Sequence, residues 1–263
     1  ELADLVQRPQ ATHTQGRMTM SEMLIVAGQS NSLTRGVRGN KMLPARWPLA
    51  APTTYFWDGG QFVLYNPALY DTFGPEVGYA IARYDAGERS PLYIVKYGMG
   101  NTQLSPIDEV GALTTVAQQW AIGDRPKFPV PDWHPSTNKG LFSVLKEMLN
   151  KACLDRFVYQ HTFLWVQGEA DASEVSWEDY AKYLEDLVFT MELRFDIQVC
   201  ISTLSPKYKD KIRQAQLKVC LGKRTRHLIV TDDYNYDPRD GIHLTRNSAM
   251  RLGKHAYAAT KGE

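Results

Sequence analysis

A serine that ends an apolar run and a histidine three residues after an aspartate are the side chains here best suited to chemistry. Ser30 closes Met23-Leu-Ile-Val-Ala-Gly-Gln-Ser30, and Asp240-Gly-Ile-His243 lies near the C-terminus. A serine hydroxyl is a poor nucleophile until a neighbouring base takes its proton, and an imidazole within hydrogen-bond reach is the usual base. Among the six histidines, His13 lies in a polar N-terminal stretch and His134 in a Pro/Trp-rich loop. His161 and His227 fall within strand patterns, and His255 falls in the last helical pattern. His243 alone follows the final strand with a carboxylate three residues before it. Asp240 at that spacing can bond the Nδ1 hydrogen, fixing the tautomer and leaving Nε2 to face Ser30. Glu169, Asp171 and Asp237 are rival carboxylates, and a Ser-His pair with no acid is a further arrangement. An Asp-Gly turn ahead of a helix also often does no more than turn and cap.

Acyl transfer needs donors aimed at the developing oxyanion. Three candidates follow strands: the backbone N–H of Ser30, the backbone N–H of Gly100 or Asn101, and the side-chain amide of Gln167. Gly28-Gln-Ser-Asn-Ser32 is not a G-x-S-x-G elbow, because position 32 is Ser, which disfavours the α/β-hydrolase fold. No H-E-x-x-H or clustered His/Asp spacing supports metal-assisted hydrolysis, and no cofactor is expected.

The elements that would position these residues read as alternating strands and helices. Apolar runs over residues 23–28, 91–97, 158–166, 197–203 and 227–232 predict five strands. Helical periodicity follows Gly74-Pro-Glu76, runs from about Asn138 through Ala152, follows Ser176-Trp-Glu-Asp179, spans Lys207 to Cys220, and runs from about Thr245 to Ala259. Alternation of this kind predicts an α/β fold with a central five-stranded parallel sheet and helices on both faces. Ligands bind at the carboxyl ends of such strands, and each candidate follows one. Thr54 to Tyr65, around Asp58-Gly-Gly60, predicts a β-hairpin. Residues 31 to 52 carry Pro44 and Pro48 and predict loop. Residues 105 to 138 also predict loop, apart from a short helical turn near Leu113 to Trp120.

With 263 residues, 43% hydrophobic and 22% charged, the chain suits one globular domain over residues 21–263 behind a polar arm or linker at 1–20. A net charge of +1 gives no field that would draw nucleic acid. No apolar stretch approaches the roughly 20 residues that span a bilayer. Cys153, Cys200 and Cys220 lack C-x-x-C spacing and read as buried thiols. The sequence begins at Glu1 rather than Met, so the native start, with any signal peptide or larger protein around it, lies outside what is read.

Five segments in order resemble the SGNH hydrolases, and within them the sialate O-acetylesterase and acetylxylan esterase-like branch of carbohydrate esterases. Gly28-Gln-Ser-Asn31 is similar to that branch's nucleophile block, and Gly74-Pro-Glu76 to the segment before its second block. Lys96-Tyr-Gly-Met-Gly100-Asn-Thr-Gln-Leu104 resembles K-x-x-x-G-G-T-x-L, Trp165-Val-Gln-Gly-Glu-Ala-Asp171 resembles W-x-Q-G-E-x-D, and Asp240 to His243 resembles the terminal D-x-x-H. The resemblance spans roughly residues 21 to 255. It implies a flavodoxin-like three-layer α/β/α sandwich, with Ser30 as nucleophile, His243 as base and Asp240 as orienting acid. It also implies an oxyanion hole of Ser30, Gly100 and Gln167. Gln29, Asn101, Glu169 and Arg239 become candidates for substrate contact. Two departures stand out: Gln167 replaces the family's name-giving Asn, and Asn101 replaces the second Gly of its pair.

The resemblance implies an O-acetylated carbohydrate as partner, with an extracellular, periplasmic or virion-associated setting favoured over the cytoplasm. Trp47, Tyr55, Trp57, Trp133, Tyr234 and Tyr236 could stack on sugar faces, with loop packing as the alternative. Arg35, Arg38 and Arg239 could pair with a sugar carboxylate. Rival readings are a lipid or thioester hydrolase on the same fold, and a non-catalytic glycan-binding or structural domain of a larger surface or virion protein. The sequence assigns no oligomeric state.

Overall fold

A computed structural model describes residues 21–33, 43–69, 73–106, 132–137, 140–155, 158 and 160–262. The arm over residues 1–20, Arg35, Arg38, the helical turn near Leu113 to Trp120 and the helix start near Asn138 lie outside these residues. One sheet is built from β1 (Glu22–Gly28), β2 (Thr54–Trp57), β3 (Phe62–Leu64), β4 (Leu92–Gly98), β5 (Gln160–Val166), β6 (Ile197–Ser202) and β7 (Arg226–Ile229). Its order is β3-β2-β4-β1-β5-β6-β7. All neighbours are parallel except β2 and β3. The five expected strands thus run β4-β1-β5-β6-β7, a flavodoxin-like order in which the chain reverses direction across the sheet beside β1.

The expectation of a five-stranded parallel sheet needs one correction. The predicted hairpin is not separate: β2 pairs with β4, Thr54 opposite Leu92 and Phe56 opposite Ile94, giving a seven-stranded mixed sheet. Burial explains the attachment, since Trp57 and Phe62 are both buried in the core and the Phe62 ring packs on Tyr93 of β4 at 4.8 Å between centroids.

Strand β1 is central because every one of its side chains is buried. Met23, Ile25 and Ala27 pack into one apolar cluster, and Leu24 and Val26 into another. A strand alternates its side chains between faces, so these clusters are the two inner layers of a sandwich. The first is covered by α2 (Leu141–Asp155), α3 (Trp177–Arg194) and α4 (Lys209–Cys220). The second is covered by α1 (Pro75–Asp85) and α5 (Arg246–Lys261). At roughly 1.5–3 kcal/mol per buried Leu, Ile or Val, β1 is costly to displace.

Local signals set the helix ends. Ser176 caps α3 by accepting the Asp179 amide at 3.1 Å, and Thr245 caps α5 by accepting the Ser248 amide at 3.4 Å. Pro75 starts α1, where its missing N–H costs nothing. The stretch expected to be loop holds two short helical turns, Ser30–Leu33 and Trp47–Ala50; Pro48 sits at the start of the second, where proline is tolerated. Strand β7 ends at Ile229 rather than 232 because the Thr231 amide donates to the Thr203 hydroxyl at 2.9 Å, leaving the ladder.

Register aligns the exits of the central strands. Gly28 lies opposite Gly98 on β4 and opposite Val166 on β5, so the loops after β1, β4 and β5 leave the sheet at one level. Among the described residues, no helix is long and apolar enough to cross a membrane.

Candidate active site

The turn after β1 is made by a glycine that no other residue could replace without rearrangement. Gly28 has φ +136°, and a Cβ there would stand 2.0 Å from the Val166 carbonyl oxygen. The chain then folds back at once: the Gln29 amide donates to the Val166 carbonyl at 3.0 Å, and the Ser32 amide and hydroxyl both donate to the Gln29 carbonyl, at 2.9 and 2.6 Å. Ser30 begins the resulting helical turn, where its backbone N–H has no intrahelical partner to donate to. Its side chain is 8% exposed.

The loop after β7 returns His243 to this turn. Its Nε2 lies 3.0 Å from the Ser30 hydroxyl, and its Nδ1 lies 2.7 Å from Asp240 Oδ2. Because the carboxylate can only accept, Nδ1 carries the proton and Nε2 accepts from Ser30. Asp240 also holds its own turn, accepting the amides of Ile242 at 2.7 Å and His243 at 3.0 Å through Oδ1. Partial burial pushes the Asp240 carboxyl up, but the His243 ring and the two amides outweigh it and hold it well below the usual carboxylate range. Further bonds close the loop: the Asp237 amide donates to the His243 carbonyl at 2.7 Å, and Ser205 donates from β6's exit to the Gly241 carbonyl at 2.5 Å.

The rival carboxylates have other partners. Asp237 is clasped by Arg239, whose side chain is largely exposed. Asp171 is fully buried and accepts the amides of Leu104 at 2.8 Å and Ser105 at 3.0 Å. Glu169 accepts from the Asn31 side chain at 2.8 Å, and its second oxygen is buried with no hydrogen-bond partner among the described residues.

The remaining sequence candidates separate. Gly100 sits in the turn after β4, next to Asn101, the one described non-glycine residue with positive φ, at 58°. Asparagine tolerates that left-handed conformation, so the departure from a Gly-Gly pair does not block the turn. Gln167 differs from expectation. Its Nε2 donates to the Thr102 carbonyl at 2.9 Å and to Asp171, while its Oε1 accepts from Tyr180 at 3.0 Å. Both nitrogen partners are acceptors, so both amide hydrogens are committed. Gln167 ties the loop after β4 to the loop after β5.

Of the residues proposed to touch substrate, Gln29 is only 3% exposed and lies under the turn, whereas Asn101 is exposed. Trp47, Trp57, Trp133 and Tyr234 are buried and pack rather than present a ring to a sugar. The sequence marks Asn31 as a brace for the turn rather than a reacting group, but not which backbone it holds. Its Oδ1 accepts the Leu244 amide at 2.9 Å, and its Nδ2 donates to the Ile242 carbonyl at 3.1 Å as well as to Glu169. The only sequence signal was its place directly after Ser30.

Comparison with known structures agrees with this fold. A protein of Arabidopsis thaliana superposes with a TM-score of 0.65 at 15% identity, over 93% of this chain and 99% of that one. NanS gives 0.62 at 12%, over 93% and 98%. A carbohydrate acetylesterase from Xanthomonas citri gives 0.53 at 13%, over 93% of this chain and 57% of that one. Identities this low carry the fold alone. A search of curated proteins gave no match. The family model described as carbohydrate esterase, sialic acid-specific acetylesterase, matches residues 128–261, just over half the chain, taking in Gln167 to Asp171, Asp240 and His243. The chain therefore belongs to the carbohydrate esterase family of sialic acid-specific acetylesterases, on an SGNH-type fold.

Proposed function

We propose that the protein removes O-linked acetyl groups from a sugar or polysaccharide through an acetyl-serine intermediate on Ser30. The observation that carries this reading is the Ser30–His243–Asp240 relay, with contacts of 3.0 and 2.7 Å. Ser30 Oγ attacks the acetyl carbonyl carbon as its proton passes to His243 Nε2, and Asp240 steadies the imidazolium that forms. The oxyanion is received by the backbone N–H groups of Ser30 and Gly100. Collapse breaks the bond to the sugar oxygen, which leaves with the proton from His243. Water then gives a proton to His243 and attacks acetyl-Ser30, releasing acetate and restoring the serine. In this reading Gln167 supports the Gly100 loop rather than donating to the oxyanion.

Ser30→Ala tests the reading directly. With p-nitrophenyl acetate, kcat is expected to fall by at least about 10³-fold; a variant keeping more than a few percent of wild-type activity would defeat the assignment. Acetate release from O-acetyl sialic acid, acetylated xylan and an acetylated bacterial surface polysaccharide then ranks the substrates.

A further inference from the structure

We propose that Asn31 is the positioning residue that places His243 against Ser30, and that Glu169 holds the Asn31 amide in the orientation this requires. The inference rests on the reading of Ser30 and His243 as nucleophile and base. Two kinds of freedom must be removed before an imidazole can take a serine proton: rotation of the ring, and displacement of the backbone that carries it. Asp240 deals with the first through Nδ1. Asn31 deals with the second, because it grips the peptides on both sides of His243, the Ile242 carbonyl at 3.1 Å and the Leu244 amide at 2.9 Å. Since Asn31 is bonded covalently to Ser30, base and nucleophile are referred to a single side chain.

The amide works in one orientation only. Nδ2 faces two acceptors, the Ile242 carbonyl and Glu169 Oε1 at 2.8 Å, while Oδ1 faces a donor, the Leu244 N–H. Turning it over would set oxygen against two oxygens and N–H against N–H. The Glu169 carboxylate, coming from the loop after β5, strengthens that preference with a charge-assisted bond. Asn31 is 4% exposed, so water competes little for these bonds. Burial also keeps it from binding substrate, so its loss is expected in kcat and not in KM.

The test compares wild type, Ser30→Ala, Asn31→Ala, Asn31→Asp and the double variant Asn31→Asp/Glu169→Gln on p-nitrophenyl acetate, with thermal melting in parallel. A misplacement of about 1 Å costs on the order of 10²-fold, so Asn31→Ala is expected to lose about 10- to 100-fold in kcat with KM within about threefold. Asn31→Asp has the same shape but sets a carboxylate against Glu169 and the Ile242 carbonyl, and is expected to lose at least as much. Adding Glu169→Gln lets the new amide donate to the carboxylate introduced at position 31, reversing the sense of the bond, and is expected to recover at least about threefold in kcat. An Asn31→Ala enzyme with kcat within about threefold of wild type, while Ser30→Ala is inactive, overturns the inference and leaves the serine reading standing. Should Asn31→Ala fail to fold, Asn31→Asp and the double variant decide: no loss in the single variant, or no recovery in the double, overturns it. An active Ser30→Ala enzyme removes the reading and this inference together.

Discussion

Gln167 and Asp171, four residues apart after β5, are joined by a buried amide-to-carboxylate hydrogen bond that helps fasten the loops after β4 and β5 together. Asp171 carries the loop after β4 on its two oxygens through the Leu104 and Ser105 amides, and Gln167 holds the same loop by the Thr102 carbonyl. Burial raises the Asp171 carboxyl above its ordinary range, and the Gln167 amide with the two backbone amides works against that rise. Removing the Gln167 side chain strands the Thr102 carbonyl and takes one of the three donors on Asp171, while the Tyr180 hydroxyl keeps the backbone carbonyl of residue 167 at 3.0 Å. At about 1–3 kcal/mol for one unsatisfied buried group, Gln167→Ala is expected to lose on the order of 2 kcal/mol of stability by urea unfolding. Its kcat, read well below the melting temperature, is expected to fall less than about tenfold. An oxyanion donor would behave in the opposite way, losing about 10²- to 10³-fold in rate at little cost in stability.

Asp240 ties the geometry of the base to pH. Its carboxyl lies well below the usual range, so it stays ionised wherever the enzyme is folded and active, and the acid limb of kcat/KM does not report it. Replacing it with Asn presents an N–H to Nδ1 and disfavours the tautomer that accepts from Ser30. Asp240→Asn is expected to lower kcat by about 10²- to 10⁴-fold. The stability effect has a definite sign. A depressed folded-state pKa stabilises fully above the unfolded value of about 3.9 and is lost as pH falls through the folded value. The gap in melting temperature between wild type and variant should be constant from pH 8 to about pH 5 and close below pH 4. That gap is modest, because the carboxylate is 35% exposed and screened by solvent.

Much of this site was legible in the sequence because strand ends in an α/β sheet share one rim, and because Asp240 and His243 act across three residues of one turn. The meeting of Ser30, His243 and Asp240 needed no more than that. Where the Gln167 amide points depends on which acceptors are buried beside it; an acid four residues on was visible, but its burial against the Leu104 and Ser105 amides was not. The partners that Asn31 braces were opaque for a different reason: Ile242 and Leu244 lie more than two hundred residues away in sequence. The hairpin's own turn was readable from Asp58-Gly-Gly60, but its parallel pairing with β4 is non-local and follows from the packing of the buried Phe62 ring on Tyr93. The same burial withdrew Trp133, which lies wholly inside and donates to Thr102 at 3.0 Å.

Glu169 is expected to be a charge held at the expense of stability. Burial raises its carboxyl, its own amide, the Asn31 amide and the His243 ring oppose that rise, and Asp171 adds to it. A raised folded-state pKa means that the ionised form is tolerated less well folded than unfolded. The cost is therefore full above the folded value and vanishes as pH falls below the unfolded value of about 4.3. Glu169→Gln keeps an oxygen for Asn31 and removes the charge. It should melt higher than wild type at pH 8, with the difference closing near pH 4; a variant that melts lower at pH 8 would show that the charge is a net support.

Gly28 and Gly59 separate two consequences of losing a glycine. Both have positive φ, +136° and +108°, so a side chain at either position strains the backbone, by roughly 1–3 kcal/mol. At Gly59, in the β2–β3 turn, a Cβ meets nothing within 4 Å, and strain is the whole cost. At Gly28 the Cβ would also fall 2.0 Å from the Val166 carbonyl, which accepts the Gln29 amide and so fixes where Ser30 begins its turn. Relief requires β1 and β5 to part at the rim, taking Ser30 away from His243. Gly59→Ala is thus expected to lower the urea midpoint and leave kcat as it is, whereas Gly28→Ala should lower the midpoint further and reduce kcat by about 10²-fold or more. Equal loss of stability in the two variants, with kcat preserved in both, would mean that the strand ends yield without moving the serine.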